Sequence, residues 1–413
     1  MPPDDDAPAC RPAGPDAAAS DLPEAVSPLS PPPSEPRPPL RPLHVGKYIP
    51  PPYAGIEAHI DTLLRALQPQ AEPVLVATRG AQPPEAAGLP YRVVGVPTAG
   101  TLASVPLSPG ILGAVRREFA GGRAELLHLH APNPWGDLAA LTTRRHPVVM
   151  TWHSDIVRQR RLMRLYGPLQ RRTLDRVDRL VVFTPKHYES SVQLRGRGLE
   201  HKLVSIPIGI DFDRLDRRAD DPVLRADIDA WAAGRPLLLT VGRHVYYKGY
   251  GFLLEALARL RSDAVLVMVG KGPLTSALQA QAAALGVDAR VRFAGELSDD
   301  GLATLLRRCD VFTLPSIEPS EAFGIATAEA MSGAKPTVVC ELGNGVNYLT
   351  RDGETGFAVP PRDVPALADA LDRLVLDGAL RARMGAAARD WVRREFSVDT
   401  MRTRTLALYR SLV

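Results

Sequence analysis

The sequence predicts an α/β protein of two doubly wound, Rossmann-like domains facing across a cleft. Three observations predict it. Short apolar runs recur without the apolar–polar alternation of a half-exposed strand, which suits parallel strands covered on both faces. Helical patterns separate these runs, so the connections are crossovers rather than hairpins. The 413 residues are too many for one ordinary core and fit two.

The first series of strands is expected at residues 43–46, 74–77, 126–129, 148–150, 180–183 and 203–206. The second is expected at 237–241, 265–269, 291–293, 311–314 and 337–339. The seam lies near Ile208-Gly209-Ile210-Asp211, ahead of a charged, poorly periodic stretch over 213–233. An N-terminal domain over 43–208, a C-terminal domain over 209–394 and a last helix over 395–413, returning to the N-terminal domain, follow. Residues 1–42 hold 14 of the 40 prolines and too little apolar surface to offset ordering, so a disordered tail is expected there.

Composition narrows the function. The charge is +4 and the pI about 9.0, with Arg supplying most of the cations. No readout motif accompanies them, so nucleic acid is not the expected partner. Arg-rich chains also suit phosphorylated ligands and anionic surfaces. No apolar run approaches the roughly 18 residues of a membrane-spanning helix. Cys10, Cys309 and Cys340 form neither a disulfide framework nor a metal-ligand spacing. No secretory signal is visible, and a cytoplasmic location is expected.

Two segments carry most of the chemistry. In Pro315 to Pro336 a strand ends at Leu314, a polar loop bearing Glu321 follows, and a small-residue helix begins near Gly324 with Glu329 further along. Such a helix start aims backbone N–H groups and a positive end at an anion, which suits a diphosphate. In Thr240-Val241-Gly242-Arg243 to Lys248-Gly249 a strand again runs into a glycine turn, with two cations five residues apart. Arg offers a fork for phosphate oxygens and Lys a point charge. Together they read as two sides of a sugar-nucleotide pocket.

These motifs resemble those of family 4 glycosyltransferases, with Glu321 and Glu329 as the Glu-x7-Glu signature and Arg243 and Lys248 as the basic element. Ile206-Pro-x-Gly209-Ile-Asp211 falls at the junction, and the motifs occur in the family's order from about residue 44 onward. The resemblance implies the GT-B fold and retention of anomeric configuration. It implies that Arg243 and Lys248 bind the donor diphosphate, Glu321 the sugar hydroxyls and Glu329 the ribose. The backbone around Phe323, Gly324 and Ile325 would bind phosphate. No metal cofactor is implied, so Asp211-Phe-Asp213 at the junction reads as structural rather than as a metal site.

The N-terminal half supplies the other wall. Pro51-Pro-Tyr-Ala-Gly55-Ile56-Glu57 resembles the family's glycine-rich first loop, with Ala54 where the family has a second glycine. His128-Leu-His130-Ala-Pro132-Asn133 resembles its His-x-His-x-Pro-Asn element, which turns His130 toward the reacting sugar. His153 and Asp155, after the next strand, are expected on the acceptor side. His128, His130 and His153 could instead ligate a metal, but no carboxylate or Cys pattern accompanies them. Gly343-Asn344-Gly345 is expected under the donor, and the stretch from Asp352 to Phe357 as a turn.

From Ile156 to Arg176 a basic helix carries Arg158, Arg160, Arg161, Arg164, Arg171, Arg172 and Arg176 among Leu162, Leu165, Tyr166 and Leu169. It is either a peripheral membrane contact, suited to a lipid-linked acceptor, or a helix packed on the sheet with solvated arginines. The neighbourhood of Trp152 to Gln159 is most similar to bacterial enzymes of surface polysaccharides, several of them mannosyltransferases. GDP-mannose is therefore the favoured donor, UDP-hexoses next, with a glycan or lipid-linked acceptor. A nucleotide-sugar epimerase or hydrolase on the same fold, or a non-catalytic nucleotide-sugar-binding subunit, are the alternatives.

Overall fold

The computed structural model describes residues 38–50, 55–79, 88–102, 105–156, 163–321 and 323–413. The expected tail, Pro51 to Ala54 of the glycine loop, and Arg158, Arg160, Arg161 and Leu162 of the basic stretch lie wholly or almost wholly outside these residues.

Among the described residues fifteen strands follow in chain order. They are β1 Pro42–Tyr48, β2 Val74–Thr78, β3 Arg92–Val96, the two-residue β4 Thr101–Leu102 and β5 Val105–Pro106, β6 Leu126–Ala131, β7 Val148–Trp152, β8 Arg179–Val182 and β9 Leu203–Ser205. The second half contributes β10 Leu237–Val241, β11 Val265–Val269, β12 Val291–Gly295, β13 Val311–Leu314, β14 Thr337–Cys340 and β15 Gly356–Val359. They build a seven-stranded sheet in the order β3-β2-β1-β6-β7-β8-β9 and a six-stranded sheet in the order β12-β11-β10-β13-β14-β15. Every pairing in both is parallel. β4 and β5 form a separate antiparallel ribbon.

The continuous apolar runs have the reason that the sequence suggested. β2, β6, β7 and β11 are buried at every position. Successive side chains enter opposite cores: Val148 and Met150 join one cluster of the first sheet and Val149 the other. In the second sheet Leu238 faces one cluster and Leu237 and Leu239 the other. Helices cover both faces, as parallel sheets require.

In each sheet the strand order reverses at one place, between β1 and β6 in the first and between β10 and β13 in the second. Connections leave to opposite faces there and open a crevice beyond the strands' carboxyl ends. His44 pairs with His128 across the first switch. The loops bearing Arg243 and Glu321 follow the two strands of the second.

The chain leaves the second half beside the point where it entered. Ile210 N–H donates to the Phe396 carbonyl at 2.8 Å, and Ile210 and Ser397 form a parallel bridge. The helix Val398–Arg410 then packs Met401, Leu406, Leu408 and Tyr409 with Ile60 and Leu64 against the first sheet.

Besides the short ribbon β4–β5, one strand of each large sheet escapes the sequence reading. β3 carries Gly95 and lies at a sheet edge, half-buried. β15 opens on Gly356, and the segment from Asp352 to Phe357 read as a turn is a turn only to Thr355. A Cβ at Gly356 would lie 2.0 Å from the Thr337 carbonyl oxygen, so the glycine is there for strand packing. Gly356→Ala is therefore expected to destabilise the protein by about 1–3 kcal/mol, read as a lower midpoint in urea.

Candidate active site at the two switch points

The second sheet's site is built by zipping two loops together. After β10 the chain makes a short 3-10 turn over Tyr246–Lys248 and reaches Gly249 at φ +67°. A Cβ there would lie 2.1 Å from the Pro315 carbonyl oxygen, so only glycine lets this loop rest on the one after β13. Ile317 N–H donates to the Tyr247 carbonyl at 2.8 Å, and the Tyr246 hydroxyl donates to Glu318 at 2.7 Å. The result brings Lys248 Nζ into direct contact with Glu321 Oε2, with both side chains largely buried. Ser316 Oγ adds a 3.3 Å bond to the same oxygen. Asn344 Nδ2 fixes the loop from the other side by donating to the Glu321 carbonyl at 2.7 Å.

Arg243 stands apart. It is exposed and has no ion-pair partner among the described residues. Gly324, at φ +79°, precedes the helix Ile325–Ser332. Ile325 at the helix start is 50% exposed, an open position for an apolar residue. Phe323 is the reverse: its ring is buried against Phe396 with centroids 5.3 Å apart, so only its backbone can serve a ligand.

Glu329 lies further along, in the helix Ile325–Ser332, and shares no hydrogen bond or ion pair with Lys248 or Glu321 among the described residues. It is half-buried, and its carboxyl makes no hydrogen bond among the described residues; its backbone carbonyl accepts from Ser332 Oγ at 2.7 Å. Burial, aided by the nearby Asp299 charge, pushes its carboxyl up to about 7. Asp211 of the junction accepts from Arg214 N–H at 2.7 Å and caps a helix, which matches its structural reading.

At the first switch point five histidines gather: His44, His59, His128, His130 and His153. His130 is 1% exposed, and both of its ring nitrogens are engaged: Nε2 with His44 Nδ1 at 3.0 Å and Nδ1 with His153 Nε2 at 3.1 Å. His128 Nε2 meets Thr151 Oγ1 at 2.7 Å, and its Nδ1 meets the Tyr409 hydroxyl, which also lies 3.2 Å from His44 Nε2. His59 and Phe183 stand edge-on to His153. Burial keeps the rings neutral: His44 falls to about 3, His59 to about 4, and His128, His130 and His153 well below the ordinary value. His44, His128 and His130, and likewise His59, His130 and His153, hold ring nitrogens within 4.8 Å of one another. Hydrogen bonds between the rings account for the approaches of His130 to His44 and His153.

Asp155 is committed to the fold at its own loop. Its oxygens accept from Trp152 Nε1 at 3.1 Å, Ser191 Oγ at 2.6 Å and Val192 N–H at 2.7 Å. Gly55 opens the helix Gly55–Leu67, and a Cβ there would meet nothing within 4 Å. His44, His59, Tyr409 and Ser316 are the residues that sequence reasoning missed. A histidine inside the otherwise apolar run of β1 was the signal for the first.

Two family descriptions match the chain: Glycosyltransferase Family 4 over residues 53–214 and Glycosyl transferases group 1 over residues 226–391. O-antigen chain mannosyltransferase C of Escherichia coli is 32% identical over 381 residues, covering 91% of this chain and 99% of its own. The chain belongs to the family 4 glycosyltransferases. Phosphatidyl-myo-inositol mannosyltransferase of Mycobacterium leprae is 32% identical over 82% of this chain and 88% of its own. The Anabaena protein HepE, solved in complex with UDP, superposes with a TM-score of 0.72 at 20% identity, covering 90% of this chain and all of that one. That likeness shows the shared GT-B fold. This glycosyltransferase has its family's Glu-x7-Glu and basic elements in the loops and helix that follow the strands of one switch point.

Glu329 gives the site a stability signature. A carboxyl whose pKa is raised on folding stabilises least when ionised, so stability falls as pH rises from about 4.5 toward 7. Glu329→Gln is expected to remove that loss, gaining about 2–3 kcal/mol over the wild type at pH 8 and nothing below pH 4. Paired denaturation curves at the two pH values check it.

Proposed function

We propose that this glycosyltransferase moves a hexose, mannose in the favoured reading, from a nucleotide-diphosphate sugar to a glycan or lipid-linked acceptor with retention of configuration, in cell-surface polysaccharide synthesis. The observation that carries the reading is the contact of Lys248 with Glu321 near the exposed Arg243, which has no ion-pair partner among the described residues, and the start of the helix at Gly324. A diphosphate takes over Lys248 and recruits Arg243, and the released Glu321 turns to the sugar hydroxyls. As the glycosidic C–O bond breaks, charge grows on the diphosphate, and the two cations and the helix start stabilise it. Glu329 accepts from the ribose diol. His130 acts on the sugar side through its histidine neighbours, and the reaction needs no metal.

GDP-mannose is the favoured donor, with UDP-hexoses next, because the E. coli and M. leprae relatives are mannosyltransferases. The M. leprae relative's lipid acceptor supports a lipid-linked acceptor here. A place on the cytoplasmic face of a membrane fits the helix Met163–Arg176, where Leu165 is 81% exposed among the exposed Arg164, Arg171 and Arg172. Arg176 is not part of that face: it holds the carbonyls of Thr143 and His146.

Binding of GDP-, UDP-, ADP- and dTDP-sugars in EDTA tests the proposal, with wild type, Glu321→Ala and Gly55→Ala. GDP-mannose is expected to bind selectively. Glu321→Ala is expected to lose about 10- to 100-fold in preference for the sugar over free GDP. Gly55→Ala has open space within the protein, so it should keep its melting temperature and still bind the donor more weakly. Free mannose released without acceptor favours a hydrolase, and binding without turnover a non-catalytic subunit. Failure of every nucleotide sugar to bind overturns the reading.

A further inference from the structure

The histidines of the first switch point form one continuous hydrogen-bond wire. It runs from Thr151 Oγ1 through His128, Tyr409, His44 and His130 to His153, by way of the contacts given above. It starts in β7, passes through β6, the C-terminal helix, β1 and β6 again, and ends just after β7. No member is more than 9% exposed, and His153 is the most exposed of them.

A neutral imidazole has one donor and one acceptor nitrogen. The burial that keeps these rings neutral therefore makes each one pass on the direction it receives. Each histidine is entered at Nε2 and left at Nδ1, or the reverse. The wire has two coherent states: all four rings carry the proton on Nδ1, or all four carry it on Nε2. The state fixes what His153 offers at its own Nδ1, which has no hydrogen bond among the described residues. In the first state it is a donor, in the second an acceptor.

Tyr409 decides between them. Its oxygen lies 2.5 Å from His128 Nδ1 and 3.2 Å from His44 Nε2. A phenol is a stronger hydrogen-bond donor than a neutral imidazole, so the shorter contact is the one it donates. It accepts from His44, and all four rings take the Nε2–H form.

We propose that Tyr409 is a positioning residue for the transfer reaction: it sets the direction of this wire and so leaves His153 Nδ1 bare, as an acceptor for a hydroxyl of the bound sugar. The proposal rests on the reading that this switch point faces the donor sugar. The C-terminal helix thereby does more than close the core of the first domain. It holds the tautomer of His130 and His153 from the same face of the sheet, through direct contacts with His128 and His44.

Nitrogen NMR of the full-length protein with labelled histidine, each ring assigned by its own His→Gln variant, reads the tautomers directly. The wild type is expected to show Nε2–H at His44, His128, His130 and His153. In Tyr409→Phe two buried nitrogens face a ring edge, and each stays bare because an orphaned N–H is the costlier outcome. His128 then keeps Nε2–H, while His44, His130 and His153 switch to Nδ1–H. In Thr151→Val the bare nitrogen is His128 Nε2, and all four rings switch. Thr151→Ser restores the wild-type pattern.

With GDP-mannose as the donor, Tyr409→Phe and Thr151→Val are both expected to lower kcat about tenfold and to leave KM for the donor within about twofold. Thr151→Ser should match the wild type. Mixed tautomers in the wild type, unchanged His130 and His153 in Tyr409→Phe, or switched tautomers at unchanged kcat would each overturn the proposal. If Tyr409→Phe does not fold, Thr151→Val carries the same decision from the other end. Failure of the wild type to use any nucleotide sugar overturns the proposed function alone, and the tautomer pattern still decides the wire.

Discussion

The missing side chain at Gly249 is the constraint from which the candidate site follows. The loops after β10 and β13 lie on neighbouring strands at the switch point, but neighbouring strands alone do not bring their loops into contact. Gly249, at φ +67°, removes the one atom that would strike the Pro315 carbonyl. Backbone bonding between Ile317 and Tyr247 then locks the loops. The meeting of Lys248 and Glu321 is a consequence of that packing, as is the neighbouring open face where Arg243 stands. A site assembled this way sits on strands held by both cores, which keeps its charges in fixed places while the ligand changes.

The two switch points differ electrostatically in a way that suits the proposed chemistry. On the second sheet the groups are charged, a largely buried Lys248–Glu321 pair and an exposed Arg243, ready to meet a diphosphate. On the first, burial strips the histidines of their charge, and both ring nitrogens of His130 are spent on neighbouring histidines. Glycosyl transfer builds negative charge on the leaving group and positive character on the sugar. Cations on the sugar side would oppose the second of these; neutral imidazoles do not. The same residue type could have supplied an acid–base group with a pKa near 7, and the dense packing of ring on ring is what prevents it.

The sheets were legible because burial on both faces leaves an unbroken apolar run, and eleven such runs are visible. β3 and β15 were not, since Gly95 and Gly356 break the pattern, Gly356 for a packing reason that only the neighbouring strand reveals. The motif residues were legible as types and spacings, but their pairing was not. Nothing local to Lys248 or Glu321 says that they touch, because the contact depends on strand order. The histidine wire was least legible of all. Its members come from four separate elements, and Tyr409 is 281 residues from His128 in the chain. A histidine within an apolar strand signals a buried polar partner without saying where in the chain it is.

The Lys248–Glu321 contact also bears on specificity. Removing one partner from a largely buried ion pair leaves the other uncompensated, at a cost of about 3–5 kcal/mol. A free nucleoside diphosphate that captured Lys248 would leave Glu321 in that position. A ligand that carries a sugar as well offers hydroxyl donors to the released carboxylate, so both charges find partners in one binding event. In the proposed reaction the pair thus discriminates against the spent product without any contact that is unique to it. Once the sugar has left for the acceptor, Glu321 again lacks a partner, and its return to Lys248 competes with the diphosphate for the same cation. The ion pair that holds the empty site in shape is then also a force for emptying it.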